Sequence, residues 1–314
     1  MRIGIFVSDT GGERTGVEEL QQRARWVEEQ GFTSAWVPHI PWSLDGLTAL
    51  VLAAQVTDHI ELGTAVMPTY PRHPLAMAQQ ALSVQAACSG RLALGIGPSH
   101  PVVIEHMHGL SYAKPYTNTR EYLEVLDRAF AGPGQVHYEG GEYRVNALLD
   151  VPGGSPVPVL LAALAPKMLR LAGSRTAGTI TWMTDTRSVA EHIVPHLHDG
   201  AMEAGRAAPR VVAGLPVCVC DDPAEARERA AKVFAVYEAI PTYQRILATG
   251  DASGPADVAI VGTEAQVTAQ LASFRDAGVT DLAATVFALG ADAEARVDSM
   301  RRTHELLASL APEL

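Results

Sequence analysis

The segment Gly95-Ile96-Gly97-Pro98-Ser99-His100 holds more chemical potential than any other stretch of the chain. Two glycines at the end of an apolar run let the backbone approach a flat ring closely, because no Cβ stands in the way. An ordinary turn has the same spacing, and the third glycine of a dinucleotide-binding fingerprint is absent. His100 closes that segment, and His39 follows the apolar run Ser34-Ala35-Trp36-Val37. Both imidazoles can give or take a proton near neutral pH. The chain has 11 histidines, so placement and not residue type singles these two out. His106, His108, His192, His196 and His198 read as solvated helix or loop residues. The third candidate is Ala162-Ala163-Leu164-Ala165-Pro166-Lys167. Small residues end an apolar run there, and Pro166 suits the first position of a helix. Free backbone amides would then face an anion, with Lys167 and Arg170 nearby. A helix start with solvated charges gives the same pattern.

Several chemistries find no support. No G-x-S-x-G elbow is present. No cysteine stands at a strand end beside a basic group, as a covalent nucleophile needs. No pair of histidines with a carboxylate has metal-site character, so no metal is expected. What remains is backbone, small residues, aromatics and imidazoles. That set suits a planar cofactor that carries out the difficult chemistry itself.

The elements that must position these residues alternate along the chain. Short apolar runs predict strands over 3–8, 34–37, 61–66, 91–95, 157–162, 179–182, 211–219 and 281–287. Amphipathic stretches predict helices over 17–30, 47–57, 75–88, 166–172, 186–204, 223–240 and 291–310. Strands alternating with helices are parallel strands joined by crossovers. An open doubly wound sheet and a closed (β/α)₈ TIM barrel both satisfy this pattern. Eight units without a large second domain favour the barrel, an α/β fold in one domain over 1–314. A β-hairpin over 136–145, turning at Gly140-Gly141, is inserted between the fourth helix and the fifth strand. In a barrel, chemistry sits at the carboxyl ends of the strands. That rule gathers Ser8-Asp9, Pro38-His39, Val66-Met67-Pro68, Gly95 to His100, Ala162 to Pro166 and Trp182 to Thr184.

Composition bounds the partners. Of 314 residues, 47% are hydrophobic and 19% charged, which permits a large core. The net charge of −11, from 24 basic against 35 acidic residues, argues against nucleic-acid or anionic-membrane partners. Cys88, Cys218 and Cys220 form no framework and read as small buried hydrophobes in a reducing compartment. The run at 47–56 is far shorter than the roughly 20 residues a membrane span needs, and no leader pattern precedes residue 2. A cytoplasmic location is expected.

Several stretches, spread over nearly the whole chain, then resemble a known family. Ile60-Glu61-Leu62-Gly63-Thr64-Ala65-Val66, Pro71-Arg72-His73-Pro74 and Arg91 to Gly97 are similar to the third and fourth units of the luciferase-like superfamily. Met168 to Gly173 with Gly178 to Met183 is similar to its fifth and sixth, and Gly214-Leu215-Pro216-Val217 to its seventh strand. The nearer likeness is to the branch that uses the deazaflavin coenzyme F420. That resemblance implies a hydride transfer between the deazaflavin and a small organic substrate, as a reductase of a C=C or C=N bond. The alternative within the same fold is an FMN-dependent monooxygenase. It implies a bulged strand with a cis peptide at Ala65–Val66 behind the ring. It also implies a cofactor site of Ser8, Ala65, Val66, Pro68, Gly97, Pro98, Ser99, Ala163, Leu164, Ala165 and Trp182, with phosphate held by amides at Leu164 and Ala165. His39 and His100 fall at catalytic positions of the family. The acidic residue usual before the first of these is Pro38 here, and the second is a carboxylate in the sugar-phosphate dehydrogenases of the branch. Both departures imply a substrate other than a sugar phosphate, for which Arg187 is the nearest basic candidate. The family resemblance further implies a homodimer.

Overall fold

The computed structural model describes residues 1–9 and 14–311. Among these lie twelve strands. They are β1 (Arg2–Phe6), β2 (Ser34–Val37), β3 (Glu61–Thr64), β4 (Met67–Pro68), β5 (Leu92–Gly97), β6 (Gly134–Glu139), β7 (Arg144–Leu149), β8 (Val159–Ala162), β9 (Gly178–Trp182), β10 (Arg210–Val219), β11 (Ile260–Gly262) and β12 (Asp281–Val286). Eight of them form a ring in chain order: β1, β2, β3, β5, β8, β9, β10 and β12. The ring closes because β10 pairs with both β9 and β12, and β12 pairs with β1, all in parallel. This is the TIM barrel, and the open sheet is excluded. β4 continues the third stave past a break and pairs with β5, Met67 beside Ile96. The peptide at the break, Ala65–Val66, is cis, as the resemblance implies. β6 and β7 form an antiparallel pair outside the ring, with Glu139 opposite Arg144.

Helices wrap the ring because each has one apolar face. In α1 (Val17–Glu29) the buried residues are Leu20, Ala24 and Val27, spaced at one helical face. α2 (Gly46–Ala54) starts at Asp45, whose side chain accepts from the Thr48 N–H. α3 (Pro74–Ala87) starts with proline, and α4 (Pro115–Ala129) and α5 (Pro166–Arg175) do the same.

Three stretches differ from the sequence expectation. β5 runs on to Gly97, where the ladder with Pro68 continues, so Gly97 lies in the strand and not in the following loop. The helix expected over 186–204 is broken: a π-helical turn, Val189–Ile193, leads into Val194–Glu203. Pro195 explains it, since its ring displaces the preceding carbonyl and offers no N–H. The helix expected over 223–240 stops at Val233 and continues as a 3₁₀ turn, Ala235–Ala239. Ile240 precedes Pro241 and is extended, as a residue before proline tends to be. Beyond it come Pro241–Leu247, Pro255–Val258, β11 and the helix Glu264–Asp276, none of which the hydrophobic pattern announces.

The inside of the ring is small. Trp36, Ala93, Leu160, Ile180, Val212 and Ala283 fill it. Trp36 is completely buried, and its Nε1 donates to Ser34 Oγ at 2.8 Å. The amino end of the ring is closed by charge. Arg210 binds Glu61 at 2.8 Å and Asp281 at 2.7 Å, and Arg2 reaches Asp281 at 3.2 Å. Burial works against the charge on Arg210, but these carboxylates outweigh it and raise its pKa. All three cysteines are buried and unpaired, and burial pushes the Cys88 thiol up to about 11 and that of Cys218 to about 12. Among the described residues no helix is long and apolar enough to cross a membrane.

A Cβ added at Gly63 would stand 2.2 Å from the Trp36 ring. The indole has no free space to move into, so Gly63→Ala is expected to destabilise the barrel by about 1–3 kcal/mol. A urea titration followed by circular dichroism checks this; an unchanged midpoint would mean that the indole yields without cost.

Candidate active site

The carboxyl end of the ring is open where the amino end is closed. Phe6, Ala65, Val66 and Ala162 pack on the interior cluster around Trp36 and keep part of their surface exposed. They form a floor of mostly small side chains. A Cβ at Gly97 would lie 2.9 Å from Ala162 Cβ and 3.2 Å from Val66 Cγ2, so the missing side chain keeps this floor flat. Gly95 serves another purpose. Its Cβ would stand 1.9 Å from the Thr64 carbonyl oxygen, so it permits β3 and β5 to approach. The two glycines therefore divide into a packing residue and a floor residue.

Pro68, Pro98 and Ser99 border the floor. The Thr69 N–H donates to the Gly97 carbonyl at 2.9 Å, which holds the β4 end over β5. Ser99 has a left-handed backbone at φ 63°, and Tyr112 Oη donates to its carbonyl at 3.0 Å. Met183, after β9, is also left-handed at φ 55°. Non-glycine residues in this region are strained and persist where surroundings enforce them, often at functional sites.

His39 lies on one side of the mouth. Its Nδ1 accepts from the Gly46 N–H at 3.3 Å and lies 3.5 Å from Asp45 Oδ2. Burial and the nearby Arg72 guanidinium hold its pKa below the usual histidine value, with His108 adding to them and Asp45 opposing them. His100 is buried more deeply. Burial lowers its pKa too, and its Nδ1 has no hydrogen-bond partner among the described residues. Its ring lies 5.5 Å from that of Tyr243.

An aromatic chain crosses the mouth from there. Tyr243 meets Tyr237 at 5.2 Å, and Trp182 lies 5.7 Å from Tyr237, 6.0 Å from Phe234 and 6.1 Å from Phe6, all edge to face. Trp182 was legible from its strand end; Phe234, Tyr237 and Tyr243 were not. Phe234 and Tyr237 fall within the helix expected over 223–240, which breaks at Val233, and Tyr243 lies beyond it in a short helix, so helical period alone does not bring them to the mouth.

The remaining expected residues are dispersed. Ala163 is buried, Leu164 is half-buried, and Ala165 is the exposed N-cap of α5, where no side chain caps the helix. The amides there fit an anion. The Leu164 carbonyl is hydrogen-bonded to His192 Nε2 at 2.8 Å, so His192 is not the solvated residue expected from sequence. Likewise His196 buries its Nδ1. Arg170 is tied to Asp199 at 2.9 Å and to Glu203 at 2.5 Å. Arg187 is tied to Glu191 at 3.1 Å and Asp251 at 2.9 Å, which engages the basic residue nearest to hand for a sugar phosphate. Ser8 lines, with Phe6, Asp9 and Thr285, a cavity of about 370 Å³ that runs outward to Trp26 and His304. The flat floor and the uncapped α5 amides together fit a planar heterocycle with an anionic tail.

Comparison with known proteins follows this geometry. The family described as luciferase-like monooxygenase matches residues 1–281. The 5,10-methylenetetrahydromethanopterin reductase of Methanolobus tindarius is 28% identical over 220 residues, 70% of this chain and 67% of that protein. The F420-dependent glucose-6-phosphate dehydrogenase of Nakamurella multipartita is 31% identical over 221 residues, 66% of this chain and 63% of that protein. The matched stretches thus span about two thirds of these relatives' own length. Among solved structures, the coenzyme F420-dependent tetrahydromethanopterin reductase of Methanopyrus kandleri has the same fold, with a TM-score of 0.76 over 99% of this chain and 97% of that one at 23% identity.

The two imidazoles at the mouth are expected to be neutral at pH 7 and to charge only below the pH at which a free histidine does. His304, which burial and Arg23 push down to about 4, gives an internal reference. Ring nitrogen NMR across pH 4 to 8 reads all three, and a charged His39 or His100 at pH 7 would contradict the geometry.

Proposed function

The chain belongs to the luciferase-like monooxygenase family, and from that premise we propose that it is an oxidoreductase that uses coenzyme F420 to reduce a C=C or C=N bond of a small organic molecule. The observation that carries this reading is the floor of Ala65, Val66, Gly97 and Ala162 together with two partly buried imidazoles whose pKa burial lowers. The relatives named as F420-dependent enzymes support it. The deazaflavin, when bound, supplies the hydride chemistry.

This chain's own residues have three tasks. The floor sets the depth of the ring, with Val66 and Ala162 closing the space beside Gly97. The α5 amides at Ala165 and beyond receive a phosphate. Above the floor, Trp182, Tyr237 and Tyr243 exclude water and present apolar edges to the substrate. His39 then moves the proton that must accompany the hydride. It is favoured over His100 because its ring is oriented by two partners, whereas the Nδ1 of His100 has none.

The test has two parts. Fluorescence titration is expected to show tight binding of F420 and weaker binding of FMN; the reverse order would replace this reading with a flavin monooxygenase. With F420 bound, His39→Ala is expected to lower single-turnover rate by about 10²–10⁴ while leaving cofactor affinity within a few-fold. Parent-like rates in both His39→Ala and His100→Ala would show that the proton comes from elsewhere.

A further inference from the structure

Two neighbours of His39 Nδ1 make incompatible demands. The Gly46 N–H, 3.3 Å away, can donate only to a bare nitrogen. The Asp45 carboxylate, 3.5 Å away, can accept only from a protonated one. In the first arrangement the neutral ring carries its hydrogen on Nε2, where it can donate a hydrogen bond but cannot take up a proton. In the second, Nδ1–H rests on Asp45, and Nε2 is free to gain and lose a proton.

Asp45 is built to hold that second arrangement. Burial opposes its charge, but the Thr48 N–H at 3.0 Å and the Arg72 guanidinium outweigh it and keep the carboxyl below its ordinary pKa. The charged and titratable groups facing His39 are Arg72 from the turn after β4, His108 from the turn after the segment Val102–Met107, and Asp45 itself. The first two disfavour a positive ring. Among the described residues only Asp45 favours it. Position 38, directly before the histidine, is proline and offers no carboxylate.

We propose that Asp45 is the positioning residue of His39, which converts it from a fixed hydrogen-bond donor into a group that exchanges a proton at Nε2. The inference rests on the reading that His39 moves the proton. In the reducing direction, the substrate atom left with an electron pair after hydride delivery takes the proton. The Nε2–H bond breaks, a bond from hydrogen to that atom forms, and the ring returns to neutral with Nδ1–H on Asp45. No further oxidant or reductant is needed.

Asp45→Asn separates charge from structure. Asparagine is as good an N-cap as aspartate, so Oδ1 still accepts from the Thr48 N–H and α2 survives. Asp45→Ser is the second variant, also a good cap without charge. In either, the NMR midpoint of His39 is expected to fall, and the limb of the pH–rate profile that His39 carries should move to lower pH with it. The single-turnover rate at pH 7 should drop roughly tenfold, a part of what acid–base help supplies, while F420 titrates as in the parent. In an Asp45→Asn, His39→Ala double variant the two losses should not add. An unmoved midpoint and limb beside a slow His39→Ala enzyme would sink the inference alone. A His39→Ala enzyme at the parent rate would instead sink the reading beneath it, whatever the Asp45 variants do.

Discussion

The rest of the structure depends on fitting one indole inside a narrow ring. Trp36 occupies the barrel axis, and strands on both sides give up side chains to admit it. A Cβ at Gly4 would meet Trp36 Nε1 at 2.8 Å, and one at Gly63 would meet the six-membered ring at 2.2 Å. The remaining interior positions are two alanines and three aliphatics. Interiors are close-packed, so a volume added at one position must be subtracted at another. With the axis filled to this height, a ligand cannot sink into the ring. It can only lie on top, on residues that pack against the interior cluster, Phe6, Ala65, Val66 and Ala162. The depth of the candidate site is therefore a consequence of core packing.

Charge is excluded from that interior and settles at its two ends in opposite ways. At the amino end, Arg210, Arg2, Glu61 and Asp281 are paired with one another, and Asp281 is almost completely buried. Removing one partner from such a cluster leaves a buried charge uncompensated, which is costly, so the cluster is rigid and suited to holding strand ends in place. At the carboxyl end, burial pushes the titratable groups toward their uncharged forms, and the two imidazoles are only partly matched by partners. Fixed pairs at one end and adjustable groups at the other follow the division of barrels into a stability face and a chemical face.

The eight staves were legible because each is a short apolar run followed by a helix with one buried face, as in β1 and α1. Their closure was legible only from the count of units, since alternation alone also permits an open sheet. The break at Ala65–Val66 came from resemblance; the residues there carry no local signal for it. The segment from Pro241 to β11 was not legible. Its helices, Pro241–Leu247 and Pro255–Val258, are too short to show a period, and β11 has three residues. Tyr243 went with it, and Tyr237, inside the helix expected over 223–240, sits in the 3₁₀ turn where that helix breaks; both reach the mouth through tertiary packing. Asp45 illustrates a different limit. In sequence it is one more acidic residue at a helix start. Its distance to His39 is set by how α2 folds back on the end of β2, and no spacing rule contains that.

His39 and His100 show why two like residues at one mouth need not do the same work. Both are partly buried, and both are held toward the neutral form. What separates them is the nitrogen that faces the protein. In His39 that atom has a donor and an acceptor competing for it, so the ring can change its protonation without losing a partner. In His100 the same atom has neither among the described residues, and charging it would add an unmatched hydrogen to a buried site. An unsatisfied buried polar group costs about 1–3 kcal/mol, and more when charged. That cost is relieved by a ligand atom that can bond to the ring, not by a proton from solvent. On the proposed reading His39 has the properties of a proton carrier and His100 those of a recognition group, its ring packed 5.5 Å from that of Tyr243.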